Sequence, residues 1–141
     1  MLRGIPSLLS PELMKILMEM GHGDELVLAD GNFPCFAYPE KIVRCDGHGV
    51  AELLDAILRF MPLDRYVENP TILMQVLPGD PYVPKNLEIY REIGFKYEKD
   101  GLHEAAIDKL DFYARAKKAY AVVVTSETEL YANIILRKGV L

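Results

Sequence analysis

A layered α/β/α domain with a central mixed sheet and a C-terminal β-ribbon is the fold this chain predicts. Apolar residues at helical spacing alternate along it with short, continuous apolar runs, and glycine or proline marks most of the handovers. That alternation fits helices laid on a sheet better than a helical bundle or a β-sandwich.

Ser10-Pro11 opens the first helix: a serine hydroxyl can accept from free N–H groups, and proline suits the first helical position. Leu13, Ile16, Leu17 and Met20 make its buried stripe, and Gly21 is the expected stop, since glycine accepts a left-handed turn. Residues 26–29 read as a strand buried on both faces, with Asp30-Gly31-Asn32-Phe33-Pro34 leaving its carboxyl end. Residues 42–45 form a second strand and Asp46-Gly47-His48-Gly49 a turn. Val50, Leu53, Leu54, Ile57, Leu58 and Met61 then give the strongest helical stripe, closed by Pro62.

A strand over residues 71–77 leads through a proline-rich loop, 78–84, into a helix over 85–93. Residues 95–109 carry a weaker pattern, with a short strand near Ala105-Ala106-Ile107. A helix over 108–118 follows, with Leu110 and Tyr113 as core contacts. The β-branched runs 120–125 and 131–136, joined by Ser126-Glu127-Thr128-Glu129-Leu130, read as a hairpin. Such a terminal ribbon exposes an edge that a second subunit can pair with or cover.

The 141 residues suit one domain spanning 1–141, half of them hydrophobic (50%) and 26% charged. A net charge of −5 argues against unaided binding to nucleic acid or to an anionic membrane, because phosphates demand basic surface. Cys35 and Cys45 make no disulfide framework and read as reduced thiols of a cytoplasmic protein; Cys35, behind Pro34, is expected in an exposed loop. The N-terminus lacks the long apolar run of a signal peptide, and no segment approaches the roughly 20 apolar residues that cross a bilayer. Neither a phosphate-binding glycine loop nor a nucleophile elbow is present.

The chemistry-bearing residues cluster around His22. Its imidazole can give or take a proton near neutral pH, and Asp24, two residues on, is placed to orient the ring. Asp30 can accept hydrogen bonds from two sugar hydroxyls at once. Tyr131 and Asn133, two apart in the expected last strand, would face one side and reach one pocket. On local sequence alone, a capping histidine, turn-forming aspartates and an ordinary strand tyrosine are the commoner outcome. Cys45-x-x-His48 and His22-x-Asp24 hold metal-ligand types, but no second Cys/His cluster completes a zinc site, so neither metal nor cofactor is expected.

Taken in order, these motifs resemble the L-fucose mutarotase and D-ribose pyranase family. Ser10-Pro11-Glu12-Leu13, Met20-Gly21-His22-Gly23-Asp24-Glu25 and Asp30-x-x-Phe33-Pro34 are similar to the N-terminal half of L-fucose mutarotases. Phe112-Tyr113-x-Arg115-Ala116-Lys117-Lys118-Ala119 and Tyr131-x-Asn133-Ile134-Ile135-Leu136-x-Lys138-Gly139-Val140 are similar to their C-terminal part. The likeness is weakest through residues 62–107, and the Phe33-Pro34 loop and Phe112-Tyr113 helix favour the fucose branch over the pyranases.

The resemblance implies a ribose pyranase-like fold and cofactor-free interconversion of the α and β anomers of a monosaccharide. It implies His22 as proton donor, with Tyr131 as a partner, and Asp30 and Tyr131-Ala132-Asn133 as substrate-binding residues. The basic binding position, arginine in many fucose mutarotases and histidine in ribose pyranases, falls on Lys109, which lacks arginine's planar fork. Asn32 stands where some relatives have histidine. The resemblance also implies ring-shaped homo-oligomers, decamers, with pockets shared between subunits. A D-ribose pyranase and a non-catalytic monosaccharide-binding protein are the alternatives.

Overall fold

In the computed structural model, which describes residues 2–35 and 41–141, ten elements follow one another along the chain. They are α1 (Pro11–Glu19), β1 (Glu25–Ala29), β2 (Ile42–Cys45), α2 (Val50–Leu58), β3 (Thr71–Met74), α3 (Asn86–Tyr97), β4 (Glu104–Ile107), α4 (Lys109–Lys118), β5 (Ala121–Thr125) and β6 (Ile134–Arg137). The strands form one six-stranded mixed sheet in the order β2-β5-β1-β6-β3-β4.

Period-two side-chain alternation divides the apolar residues between the two faces of that sheet. Leu26, Leu28, Val123, Ile134 and Leu136 face a cluster filled by Leu13 and Ile16 of α1, Leu53, Leu54 and Ile57 of α2, and Tyr90 and Ile93 of α3. Val27, Ala29, Val122, Val124 and Ile135 face a second cluster, where α4 contributes Phe112 and Ala116. The α/β/α layering is therefore as expected, with three helices on one face and one on the other.

Local signals place most elements within a few residues. Ser10 caps α1 through its hydroxyl, which accepts from Leu13 N–H at 3.1 Å, and Pro11 follows it. Asp108 caps α4 in the same way, accepting from Leu110 and Asp111. Gly21 is not the left-handed stop of α1: the helix ends at Glu19 with Met20 extended, and Gly23 takes the positive φ, +87°. Leu110 is 75% exposed, and Phe112 with Ala116 supplies the core contacts expected of it.

The C-terminal hairpin and ribbon are overturned. β5 pairs parallel with β1 and β6 antiparallel with β1, so β1 lies between them and the two never meet. β6 also pairs with β3, which leaves it central with no free edge; the sheet edges are β2 and β4. The physical reason lies in the burial of both runs, complete in β5 and nearly so in β6, which demands neighbours on each side. The link between them has only to step across one strand, roughly 10 Å at 4.8 Å per strand.

After β6 the chain is stitched to the 62–64 segment. Gly139 N–H donates to the Pro62 carbonyl at 2.8 Å, and Asp64 N–H to the Arg137 carbonyl at 3.0 Å. A Cβ on Gly139 would overlap the Leu63 carbonyl and lie 2.9 Å from Asp64 Cα, backbone that cannot swing aside. Gly139→Ala is expected to lower unfolding stability by about 1–3 kcal/mol, read as a reduced urea midpoint at unchanged slope.

Candidate functional site

Two polar clusters occupy opposite ends of β1. Glu25, at its start, pairs with Arg137 of β6, and Leu28, near its finish, pairs with Ile134. The residues before Glu25 therefore meet those after Arg137, and the residues after Ala29 meet those before Ile134. Five strand residues lie between the ends, about 17 Å at 3.3 Å per residue.

At the carboxyl end, Asp30 and Asn133 bind each other reciprocally. Asp30 N–H donates to Asn133 Oδ1 at 2.8 Å, and Asn133 Nδ2 donates to Asp30 Oδ2 at 2.8 Å. Asn32 N–H donates to Asp30 Oδ1 at 2.9 Å. Both side chains are buried, and burial raises the Asp30 pKa above its usual value of 3.8 despite those donors. Ala132, also buried, gives its carbonyl to Tyr90 Oη at 2.9 Å. Thr125 Oγ1 donates to the Ala29 carbonyl at 2.8 Å and Gly31 N–H to that of Glu127 at 2.9 Å, so the loops on either side are fixed to one another.

Tyr131 and Asn133 lie in the turn before β6 rather than in a strand, so their spacing of two does not set their common direction. Tyr131 instead takes a left-handed φ of +58°, and its hydroxyl donates to Asp80 Oδ2 at 2.7 Å. That bond lowers the Asp80 pKa and raises that of Tyr131. Tyr82, whose hydroxyl donates to Glu129 Oε1, stands with its ring 6.0 Å from that of Tyr131. Lys109 Nζ sits 5.6 Å from the Tyr113 ring, which packs edge-on against Phe33. Burial, and after it the charge of Asp30, raises the pKa of the Tyr113 hydroxyl. Cys35, expected in an exposed loop, is buried beside Phe33 in the second apolar cluster, and burial raises its pKa.

At the amino end, His22 Nε2 lies 3.1 Å from Asp64 Oδ1. Asp64, rather than Asp24, is the carboxylate in contact with the ring. Asp24 accepts from Gly21 N–H at 2.7 Å through Oδ2 and so shapes the turn beside the ring. Arg137 Nε donates to Asp64 Oδ2 at 2.9 Å and Nη1 lies 3.9 Å from Glu25, which Arg115 grips with both Nε and Nη2. The row Arg115–Glu25–Arg137–Asp64 alternates in sign and ends on the imidazole. The Asp64 side chain is only 1% exposed. Its pKa falls to about 2 because Tyr66 N–H, then Arg137 and His22, donate to the carboxylate against the opposing effect of burial. Glu25, Arg115 and Arg137 also line a cleft of about 1130 Å³ with Gly23 and Asp24.

The single chain thus brings Asp30, Ala132 and Asn133 together, with Tyr131 and Lys109 at the same end, and sets His22 with Asp24 at the other. Asp64, Arg137 and Asp80 carry no local signal: their partners lie 42, 73 and 51 residues away along the chain. Among the described residues, no three His, Cys, Asp or Glu side chains gather as a metal site, and no helix is long and apolar enough to cross a membrane.

Fold and site first define a class: an α/β/α protein on a mixed sheet, with a buried carboxylate–amide pair at one end and an imidazole–carboxylate pair at the other. The chain belongs to the RbsD / FucU transport protein family, whose model matches residues 3–141. It is 49% identical to the fucose mutarotase of Homo sapiens over 146 residues, covering 99% of this chain and 94% of that one. Identity to the L-fucose mutarotase of Actinobacillus pleuropneumoniae is 47% over 140 residues, covering 99% and 97%. The crystal structure of the fucose mutarotase from Streptococcus pneumoniae in complex with L-fucose superimposes with a TM-score of 0.94 at 51% identity, covering 99% of each chain.

The low Asp64 pKa has a consequence for stability. A carboxyl whose native value lies below its unfolded 3.8 stabilises the fold fully above about pH 4, and that contribution is lost as pH falls toward 2. Urea unfolding at stepped pH should show stability declining across this window, with a shallower decline in Asp64→Asn.

Proposed function

We propose that this chain is a fucose mutarotase, an isomerase that interconverts the α and β anomers of L-fucose or a closely related monosaccharide without a cofactor. The observation that carries the proposal is the pairing of a sugar-type binding cluster, Asp30–Asn133, with a solvent-reachable imidazole on a buried carboxylate, His22–Asp64, in a chain about half identical to a protein crystallised with L-fucose.

The reaction needs two coupled proton movements. As a base takes the proton of the anomeric hydroxyl, that O–H electron pair becomes the carbonyl π bond. The bond from the anomeric carbon to the ring oxygen breaks, and an acid protonates the ring oxygen. Rotation about the adjacent carbon–carbon bond followed by the reverse steps closes the other anomer. His22 is the acid, and Tyr131 takes part in the opposite transfer. Asp30, Asn133 and Lys109 hold the hydroxyls, with Ala132 beside them in the substrate-binding segment.

Because His22 and Tyr131 lie at opposite ends of one chain, a complete pocket takes His22 from one subunit and the Asp30–Tyr131 end from the next. A contact of one end with the other is heterologous, and such contacts make a ring where the rotation between neighbours closes. A decamer is the ring that the family resemblance implies. Residues 1–141 act as one mutarotase-like domain, working in the cytoplasm with its thiols reduced.

NMR saturation transfer between anomers tests this directly. L-Fucose exchange should accelerate with the wild-type protein, and His22→Ala should remove most of it, on the order of the 10²–10⁴-fold that general acid–base help supplies. Binding without acceleration would leave a sugar-binding protein, and exchange confined to ribose ring forms would make it a pyranase. Shared pockets are tested by co-assembly: His22→Ala and Tyr131→Phe, each inactive alone, should recover activity when refolded together, with roughly a quarter of the interfaces intact. No recovery despite demonstrated mixed assembly would place each pocket within a single chain.

A further inference from the structure

We infer that Asp80 is a positioning residue of the ring-opening step: it takes the hydrogen of the Tyr131 hydroxyl, presents the phenol oxygen to the sugar as an acceptor, and through it receives the proton of the anomeric hydroxyl. The inference rests on the mutarotase reading and supplies the accepting side of a reaction whose acid is His22.

Tyr131 Oη donates to Asp80 Oδ2 at 2.7 Å. An ionised carboxylate can only accept hydrogen bonds, and the donors Tyr131 and Tyr82 N–H hold the Asp80 pKa below its ordinary 3.8. The phenol hydrogen is therefore committed to Asp80 throughout the neutral range. With its one hydrogen spent, Oη can meet a sugar hydroxyl only as an acceptor. The same bond raises the Tyr131 pKa above its ordinary 10, against the opposing effect of the Leu77 backbone, so the phenol stays protonated.

Both partners are held in built geometry. Tyr131 takes a left-handed φ of +58°, uncommon for a bulky side chain and a mark of a functional constraint. Asp80 is fixed by its own turn: Oδ1 accepts from Tyr82 N–H at 2.9 Å, and its N–H donates to the Leu77 carbonyl at 3.0 Å. The neighbouring acid, Glu129, is engaged elsewhere, accepting from the Tyr82 hydroxyl and from Lys85 N–H at 3.2 Å. Among the described residues, Asp80 is thus the carboxylate in hydrogen-bond contact with Tyr131.

Proton movement balances without a further reagent. In ring opening the anomeric O–H bond breaks and its proton bonds to Tyr131 Oη, while the phenol's own proton passes to Asp80 Oδ2. The freed electron pair becomes the carbonyl π bond, and the ring oxygen leaves with the electrons of its bond to the anomeric carbon and takes the proton of His22. Closure runs every transfer backwards, so Asp80 ends ionised and Tyr131 protonated. The phenol relays a proton without carrying a full charge, which suits a group whose pKa is raised.

Asp80→Asn separates this role from a structural one. The amide oxygen can still accept from Tyr82 N–H and keep the turn, which leaves Nδ2 facing Tyr131 Oη; a donor there forces the phenol hydrogen outward and removes the proton acceptor. L-Fucose exchange by saturation transfer, extrapolated to saturating sugar, should fall by about 10²-fold or more, at the low end of acid–base help, while the L-fucose dissociation constant stays within about threefold. Asp80→Glu, which retains a carboxylate, should exchange at least about tenfold faster than Asp80→Asn. The Tyr131 ¹³Cζ resonance, assigned by its loss in Tyr131→Phe, should titrate above 10 in the wild type and lower in Asp80→Asn. Undiminished exchange in Asp80→Asn overturns the proposal, as does a parallel loss of exchange and affinity, or an Asp80→Glu no faster than Asp80→Asn. A wild-type Tyr131 titrating at or below 10 overturns it alone, even should Asp80→Asn fail to fold. Absence of wild-type acceleration would instead defeat the mutarotase reading, with the titration still reporting the Asp80 contact.

Discussion

The antiparallel pairing of Glu25–Ala29 with Ile134–Arg137 is the constraint on which both polar clusters depend, because it brings the last strand of the chain alongside the first. Leu26 opposite Leu136, Val27 opposite Ile135 and Leu28 opposite Ile134 are all buried, so a slip of one residue would turn an apolar face toward the wrong cluster. With that register fixed, Arg137 falls beside Glu25 and reaches Asp64, and Asn133 falls beside Asp30. The same ladder fixes both geometries, so neither end can be rebuilt without disturbing the other.

Each end solves the problem of a buried carboxylate differently. Asp64 is almost fully enclosed, and a lone charge there would be costly; three donors, one of them an arginine, keep it ionised. Asp30 has the Asn133 amide and the backbone N–H groups of Asn32 and Phe33 but, among the described residues, no cation in hydrogen-bond contact, and burial prevails, raising its pKa. The contrast in pKa direction follows from the donors around Asp64, an arginine among them, and from the burial that prevails at Asp30.

The sequence disclosed the layers because periodicity is local. The stripes of α1 and α2, the cap at Ser10 and the buried run at 26–29 each carry their own signal within a dozen residues. It misled where pairing is remote. Two β-branched runs joined by the short link 126–130 look like a hairpin, yet their burial on both faces requires a strand between them, and nothing nearby says that the strand is β1. Asp30, Asn133 and His22 were legible as chemistry-bearing types, whereas Asp64 was not: it follows Pro62-Leu63 in an unremarkable stretch, and its contact with His22 exists only because β6 carries Arg137 and Lys138 to that place. The expected role of Asp24 failed for a geometric reason. A side chain two residues from the histidine folds back onto Gly21 N–H, while the ring reaches outward.

Open α/β sheets usually collect a ligand at the carboxyl ends of their strands, and Asp30 and Asn133 follow that rule. His22 does not, since it sits where a parallel strand begins. On the mutarotase reading this departure becomes intelligible. A pocket assembled from the carboxyl end of one chain and the amino end of the next uses both termini of β1, in different molecules, and draws rigidity for both from one strand. Ring opening moves protons between fixed points on a small substrate, so acid and binding groups must keep their spacing to within a fraction of an ångström. A mobile loop spanning about 17 Å within a single chain could bring the two groups together, but it would have to be ordered on every turnover. Two rigid ends brought together by assembly meet that requirement once, when the oligomer forms.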